Sequence, residues 1–408
     1  MAFLNASNFT LERDILNISS YIFNIERILK RGETIDTPIE IPVSEFLDSN
    51  TDLKQLKIHI QQLMDFALMS DVEIDFIVKD TNKYKRRKEV QITKCDNICL
   101  FSAGVDSLSG ILRANKQYDG NLVGVFVAHV DQTRNVHIYN EINTIMKQKA
   151  KIPIKILYAP PMERHGYSQI RGFLYCMYGG IYLNMMNGKR LIVSECGPTM
   201  YQPSFSPIDQ VTMTTHPFVM QKTREIMKLI LNRDFDLILP YENLTKAEVL
   251  MACPDITYMD KSHSCVSVGY GTHDGTCYGC IIRRLSFLAA GVKDTKYEKN
   301  PIIDCDAEQD SLLNLLRFCT DILIDYENMD FTVKENIVTY GKEDLFTRFA
   351  LDVFTGIYKA KIAHGKLCDN IEETYRYVSS QIRESTFMER ALTLRTKVKD
   401  PDFFNRVR

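Results

Sequence analysis

Six consecutive residues, Ser102-Ala103-Gly104-Val105-Asp106-Ser107, have the types and order that hold a phosphate. They follow the apolar run Asn97-Ile98-Cys99-Leu100-Phe101, which reads as a buried strand. They precede Leu108, Ile111 and Leu112, spaced as one face of a helix. A strand, a short Ser/Gly loop and a helix make an anion site, because the first backbone N–H groups of a helix have no intrahelical acceptor. Gly104 lets a ligand come close to the backbone, and Ser102 and Ser107 add hydroxyl donors. The loop lacks the Gly-Lys-Ser/Thr ending of a Walker loop. Taken alone it also fits an ordinary strand-to-helix turn, so the flanking elements matter. Asp106, at the helix start, either caps the helix or helps to hold Mg2+.

A second group of chemically capable residues lies downstream. Cys277-Tyr278-Gly279-Cys280 is a C-x-x-C knuckle, and Cys265 precedes it across a glycine-rich loop. Three thiolates favour Zn2+, and a fourth ligand would close a tetrahedral, structural site. His273, Asp274 and His263 are all in reach, with His273 the expected ligand. The alternative is a set of buried free cysteines. Arg283 and Arg284 follow the knuckle and face either the phosphates or solvent.

The elements that must position these groups fall into three zones. Residues 1–94 combine strand-like stretches at 39–43 and 72–78 with an amphipathic helix over 52–69, an N-terminal α+β accessory domain. Residues 95–295 alternate strand candidates (98–101, 122–127, 154–157, 191–193, 237–239) with helix candidates after Ser107 and over 134–149, 170–186 and 218–230. That alternation implies an α/β fold with a parallel sheet covered on both faces. Ligands bind such sheets beyond the C-terminal strand ends, where the Ser102–Ser107 loop would lie. Residues 296–408 read as a C-terminal helical region, with Leu345, Phe346, Phe349, Val353, Phe354 and Ile357 as its core stripe.

At 408 residues, 45% hydrophobic and 25% charged, the chain has length for two or three packed domains. A net charge of −2 offers no global attraction to nucleic acid or membrane. The one dense basic run, Lys83 to Lys88, is expected on a solvated strand end or hairpin, with a phosphate- or nucleic-acid-contacting patch as the alternative. No stretch is long and apolar enough to cross a bilayer, and the start of the chain lacks a secretion pattern. The expected compartment is the cytoplasm, with the eleven cysteines reduced.

The S-x-G-x-D-S loop resembles the PP-loop of ATP pyrophosphatases. Together with the downstream cluster ending C-x-x-C-x-x-R, it resembles the 7-cyano-7-deazaguanine synthase (QueC) family over roughly residues 95–295. That family has four cysteines; Cys265, Cys277 and Cys280 match three, and the remaining one falls on Asp274 here. The family's Lys-Ala-Glu element is matched by Thr245-Lys246-Ala247-Glu248, in which Thr245 and Glu248 have capping-box spacing and Lys246 is placed to reach phosphate. The segment Val193-Ser194-Glu195-Cys196-Gly197, with Pro203, Ser206-Pro207 and Thr214-Thr215-His216-Pro217, looks like a longer branch found in bacterial anti-phage defence operons. Relatives there commonly carry Glu-Asn-Gly where this chain has Glu-Cys-Gly.

The resemblance implies a PP-loop core that adenylates the carboxylate of a 7-carboxy-7-deazaguanine-like substrate and releases pyrophosphate. Ser102, Ala103, Gly104, Val105, Asp106 and Ser107 would cradle ATP, with Asp106, Ser107 and Lys246 catalytic and Arg171 neutralising phosphate oxygens. His129, with Asp131 and Gln132, would contact adenine or ribose; Glu195, Gly197 and His216 would recognise the deazapurine. Cys196 is expected to pack rather than to act as a nucleophile. In the longer branch the acceptor is the amine of a partner protein encoded in the same operon. The competing readings are the ammonia-using synthase itself, a PP-loop ligase acting on RNA, and a non-catalytic ATP-binding scaffold of a defence complex.

Overall fold

The computed structural model describes residues 10–29, 38–69, 72–79, 94–129, 140–159, 168–201, 214–265 and 272–397. In chain order, α1 (Thr10–Ile28), β1 (Ile39–Ser44), α2 (Glu45–Asn50), α3 (Leu53–Leu68) and β2 (Ile74–Lys79) come first. They are followed by β3 (Asn97–Leu100), α4 (Val105–Gln117), β4 (Leu122–His129) and, after a π-helical turn at Met146–Ala150, β5 (Ile154–Ala159). Next come α5 (Arg171–Met185), β6 (Arg190–Ile192), α6 (Gly197–Tyr201), α7 (Pro217–Leu231), β7 (Asp236–Ile238) and α8 (Lys246–Ala252). The chain continues through α9 (Tyr278–Ala290), α10 (Asp310–Leu323), α11 (Phe331–Thr339), α12 (Glu343–His364), α13 (Asp369–Ile382) and α14 (Glu384–Lys397).

The strands β3 to β7 form one parallel sheet in the order β5-β4-β3-β6-β7. All five lie within two residues of their expected ends. The chain begins in the middle strand, builds outward to β5, then returns to the other side of β3 with β6. The order therefore reverses between β3 and β6, and a crevice opens there beyond the C-terminal strand ends. The loop at 102–107 leaves β3 and the segment at 193–197 leaves β6, so both lie at this switch point.

Strand alternation sends side chains to two cores. Ile98, Val123, Val125, Leu191 and Val193 join a cluster with α5, α7 and the N-terminal helices. Cys99, Leu122, Phe126, Ala128 and Ile192 join another with α4 and α8. Helix α5 is apolar almost all round, from Phe173 to Leu183, because it lies between the sheet and α1. The sequence pattern at 10–28 hides a helix that was not expected: Ile15, Ile18 and Ile22 form its buried stripe against α5. Its buried carboxylates are also satisfied, Asp14 by the N–H and hydroxyl of Ser44, and Glu12 by the Asn184 amide.

The short parallel pair β1–β2, the helices α1 and α3, and one face of the large sheet share a single apolar cluster. The helices after residue 309 form their own cluster, joined to the rest where α12 lies along α9. Cys305 and Cys368 are paired as a disulfide, with Cα atoms 5.3 Å apart, which departs from the expectation that every cysteine is a free thiol. The basic run at 83–88 and the residues Asp131, Gln132, Pro203, Ser206 and Pro207 lie outside the described residues. Among the described residues no helix is long and apolar enough to cross a membrane.

A shared core has a measurable consequence. Ile22→Ala in α1 and Phe173→Ala in α5, both at fully buried positions, should depress the same thermal transition, each costing about 2–5 kcal/mol. A separate early transition produced by Ile22→Ala alone would show two independent cores.

Candidate functional site

At the end of β3 the chain turns through Ser102 and Ala103 into α4. Ala103 takes a left-handed conformation (φ 64°), and its carbonyl accepts the N–H of His263 at 3.0 Å. The Ser107 hydroxyl lies 3.1 Å from the Ser102 hydroxyl, donates to the Gly104 carbonyl, and accepts the N–H of Ser102 at 3.2 Å. Gly104 is the N-cap, and no side chain caps α4. The first-turn N–H groups of this 13-residue helix therefore face the crevice without an intrahelical acceptor.

Gly104 is informative for what does not demand it. Its φ of −74° suits any residue. A Cβ there would meet only the Ser102 Oγ at 3.3 Å and the His263 carbonyl at 3.7 Å. The polypeptide does not require glycine at this point; a ligand lying against the backbone would.

Behind the loop stands a buried charge cluster. The Lys246 ammonium donates to Asp106 Oδ2 at 2.6 Å, and the Cys196 N–H donates to the same oxygen at 3.2 Å. The Glu195 carboxyl shares a side-chain hydrogen bond with Asp106. A carboxylate oxygen of Glu195 lies within 4.8 Å of an Asp106 oxygen. Burial pushes the Asp106 carboxyl up, but the Lys246 charge together with hydrogen bonds from Glu195, Lys246 and the Cys196 N–H holds Asp106 below its usual range. Burial also works against the Lys246 ammonium, and Asp106 reverses this and raises it. Glu195 goes the other way: burial and the neighbouring Asp106 charge push it up to about 8, against Lys246 and Arg171. At neutral pH the cluster thus holds an ionised Asp106, a charged Lys246 and a protonated Glu195.

The other expected site residues divide. Arg171 starts α5 with an exposed side chain close enough for its charge to reach Glu195. His129 ends β4, at the same sheet edge, and its side chain lies outside what the structure describes. The Gly197 N–H donates to the carbonyls of Tyr241 and Leu244, and the Glu242 backbone stands where a Cβ would point. This gives Gly197 a packing reason. His216 caps α7, its Nδ1 accepting the Phe218 N–H at 3.2 Å, with Pro217 following it in the first turn. Its ring sits among Phe66, Tyr201 and Tyr340, and burial lowers it to about 4. No hydrogen bond joins it to Glu195 among the described residues. The Cys196 thiol is buried beside the Thr199 hydroxyl at 3.2 Å and is pushed up to about 12 chiefly by burial.

The cysteine cluster requires one correction. Ligand atoms of Cys265, Cys277, Cys280 and Asp274 lie within 4.8 Å of one another, so Asp274 closes the set rather than His273. His273 turns its ring away: Nε2 accepts the Ser264 N–H at 3.3 Å, and the ring packs against His263 and Tyr297. Asp274 is presented by a tight turn in which its Oδ1 accepts the N–H groups of Thr276 and Cys277. The sulfurs of Cys265 and Cys277 are 3.9 Å apart. A tetrahedron with Zn–S bonds of about 2.3 Å has an edge of about 3.8 Å. The cluster can therefore hold a metal ion such as zinc with no open position.

Both arginines after the knuckle are tied to neighbouring groups of the protein. Arg283 is fully buried; it binds Asp294 and donates to the Ser262 hydroxyl (2.6 Å) and carbonyl (3.0 Å) and to the Met259 carbonyl. Arg284 binds Asn300 and Lys299 and stacks on Tyr297. Arg283 thereby fixes Ser262, whose neighbour His263 holds the carbonyl of Ala103. The cysteine cluster and the loop are two ends of one strut.

No protein-family model matches the chain, and no curated protein matches it in sequence.

Two outcomes follow from this geometry. One zinc per chain is expected by metal analysis, reduced by Asp274→Ala and retained in His273→Gln; a folded, metal-free wild type would overturn the assignment. Glu195 should also make stability pH-dependent. The folded state keeps a proton that the unfolded chain releases near pH 4.5, so its contribution is complete below that pH and is lost as pH rises toward about 8. Urea unfolding should show this decline in wild type and a flatter profile in Glu195→Gln; identical profiles would contradict it.

Proposed function

We propose that this chain is a PP-loop ATP pyrophosphatase of the QueC type, which adenylates the carboxylate of a 7-carboxy-7-deazaguanine-like substrate. The supporting observation is the uncapped N-terminus of α4, at the switch point of the sheet, with Asp106 and Lys246 directly behind it. The loop amides and the hydroxyls of Ser102 and Ser107 take the β- and γ-phosphates. The substrate carboxylate attacks the α-phosphorus, the bond to the bridging oxygen breaks, and pyrophosphate leaves with its charge met by donors already in place. Lys246 supplies positive charge at the same point. Mg2+, when bound, would neutralise the phosphate oxygens; Asp106 and Glu195, whose oxygens lie within 4.8 Å of one another, are the carboxyls that would hold it.

The deazapurine would lie beside the phosphates at the switch point between β3 and β6. Arg171, whose charge reaches Glu195, would offer that charge to the carboxylate or the α-phosphate. The metal cluster is distant in role: it holds the strut that ends at Ala103. The acyl adenylate then passes to an amine, with AMP leaving. A partner protein of an anti-phage system is the proposed acceptor, on the strength of the Glu195–Gly197 and Thr214–Pro217 segments that resemble the longer branch. On this reading the chain works in the cytoplasm.

Isotope exchange between pyrophosphate and ATP tests the first half-reaction without its acceptor. Exchange that depends on 7-carboxy-7-deazaguanine is expected, falling about 100-fold or more in Asp106→Ala and in Lys246→Ala. No exchange with any carboxylated deazapurine, or undiminished exchange in Asp106→Ala, would overturn the proposal.

A further inference from the structure

The C-terminal helices send four charged groups toward α8, the short helix that carries Lys246. Thr245 and Glu248 form a reciprocal capping box at its start: the Glu248 N–H donates to the Thr245 hydroxyl at 3.2 Å, and Glu248 Oε2 accepts the Thr245 N–H at 3.0 Å. That is sufficient to start a helix, and most capping boxes stop there. Here Arg348 of α12 also binds Glu248 Oε2, and its second nitrogen donates to the Asn243 carbonyl at 3.0 Å. Arg390 of α14 binds Glu248 Oε1 at 2.9 Å and Asp352 at 2.7 and 3.2 Å. Asp352 in turn accepts the Thr245 hydroxyl. Asp344 steadies Arg348 at 2.8 Å.

Glu248, Asp352 and Arg390 are each less than a tenth exposed. Burying so many charges is an expensive way to fasten two helices, since apolar side chains of similar size would do it at least as well. What a charge network supplies is a fixed geometry. Every bond in it ends on Thr245, Glu248, Asn243 or one another, which brackets Lys246 from both sides in sequence. Lys246 must span from α8 to α4 to reach Asp106, so its reach depends on where the first turn of α8 stands. Lys342, just before α12, adds a further hold on the same loop, donating to Glu242 and to the Asn243 side chain.

We infer that Arg348 and Arg390 are positioning residues for Lys246: the C-terminal helices hold the first turn of α8 so that the ammonium stays on Asp106. This gives the helical region a task in the site, beyond covering the core. The role rests on the assignment of Lys246 to the phosphate site.

Competitive acylation with acetic anhydride reads the position of Lys246 directly, with no nucleotide present. The exposed Lys189 serves as an internal standard for the reagent. In the wild-type full-length chain Lys246 should react slowly, being buried and paired. In Arg390→Gln and Arg348→Gln its rate relative to Lys189 should rise about tenfold, the change expected when an ammonium loses one pKa unit of stabilisation. Arg390→Lys should recover part of the protection. ATP affinity, measured in parallel, should fall in the same order.

A purely fastening role makes a different forecast. The melting temperature would drop, and Lys246 in the folded protein would label as in wild type; that result overturns the inference. If Arg390→Gln does not fold, Arg348→Gln decides, since this side chain is partly exposed and its loss leaves Arg390 on Glu248. A wild-type chain that binds no ATP would overturn the phosphate assignment alone, and the labelling result would still decide whether the helices position Lys246.

Discussion

The buried ion pair between Asp106 and Lys246 is the constraint around which the rest of the structure is arranged. Its partners come from different helices, α4 after the first strand of the sheet and α8 after the last. Taking each ion out of water costs several kcal/mol, so neither charge can stay in place without the other and without further hydrogen bonds. Removing one partner of such a pair costs about 3–5 kcal/mol. The Cys196 N–H supplies one of those further bonds, and the protonated state of Glu195 is a consequence: a second full negative charge cannot be held beside Asp106 in the same buried space.

Two supports converge on the pair from outside the sheet. On one side the segment that carries the cysteine cluster, through Arg283, Ser262 and His263, holds the left-handed residue Ala103 from which the loop enters α4. On the other, Arg348, Asp352 and Arg390 grip the capping box that starts α8. The loop and the lysine are thus set by elements far from them in sequence. The N-terminal helices contribute differently, by filling the opposite face of the sheet with Ile15, Ile18, Ile22 and their neighbours.

Much of this was legible in the chain. Short, mostly apolar runs between helix patterns located all five strands, because a parallel sheet between two cores leaves little choice of residue. The Thr245–Glu248 spacing announced its capping box. What failed to show was anything decided by orientation. His273 and Asp274 are adjacent and equally able to bind metal in principle. Only the turn at Asp274, with two N–H groups on Oδ1, puts the carboxylate rather than the imidazole among the sulfurs. Arg283 read as a surface or phosphate-facing charge, and its burial depends on carbonyls of Met259 and Ser262 brought together by a 3-10 turn. The Thr212–Pro217 stretch reads equally as a recognition residue and as a structural hydrogen-bonder at His216; only the structure shows its imidazole capping α7. The contact of Arg390 with Glu248 joins residues too far apart in sequence for any local pattern to reveal.

The central claim is that the loop at 102–107 is a phosphate cradle whose glycine is kept open for a ligand. Binding of α,β-methylene ATP with Mg2+, followed by titration calorimetry, tests it without turnover. One site per chain is expected in wild type. In Gly104→Ala binding should be lost or weakened at least about tenfold at unchanged melting temperature, because the added Cβ meets only Ser102 Oγ and the His263 carbonyl within the protein. A wild-type chain that does not bind, or a Gly104→Ala chain that binds as tightly as wild type, would contradict the account.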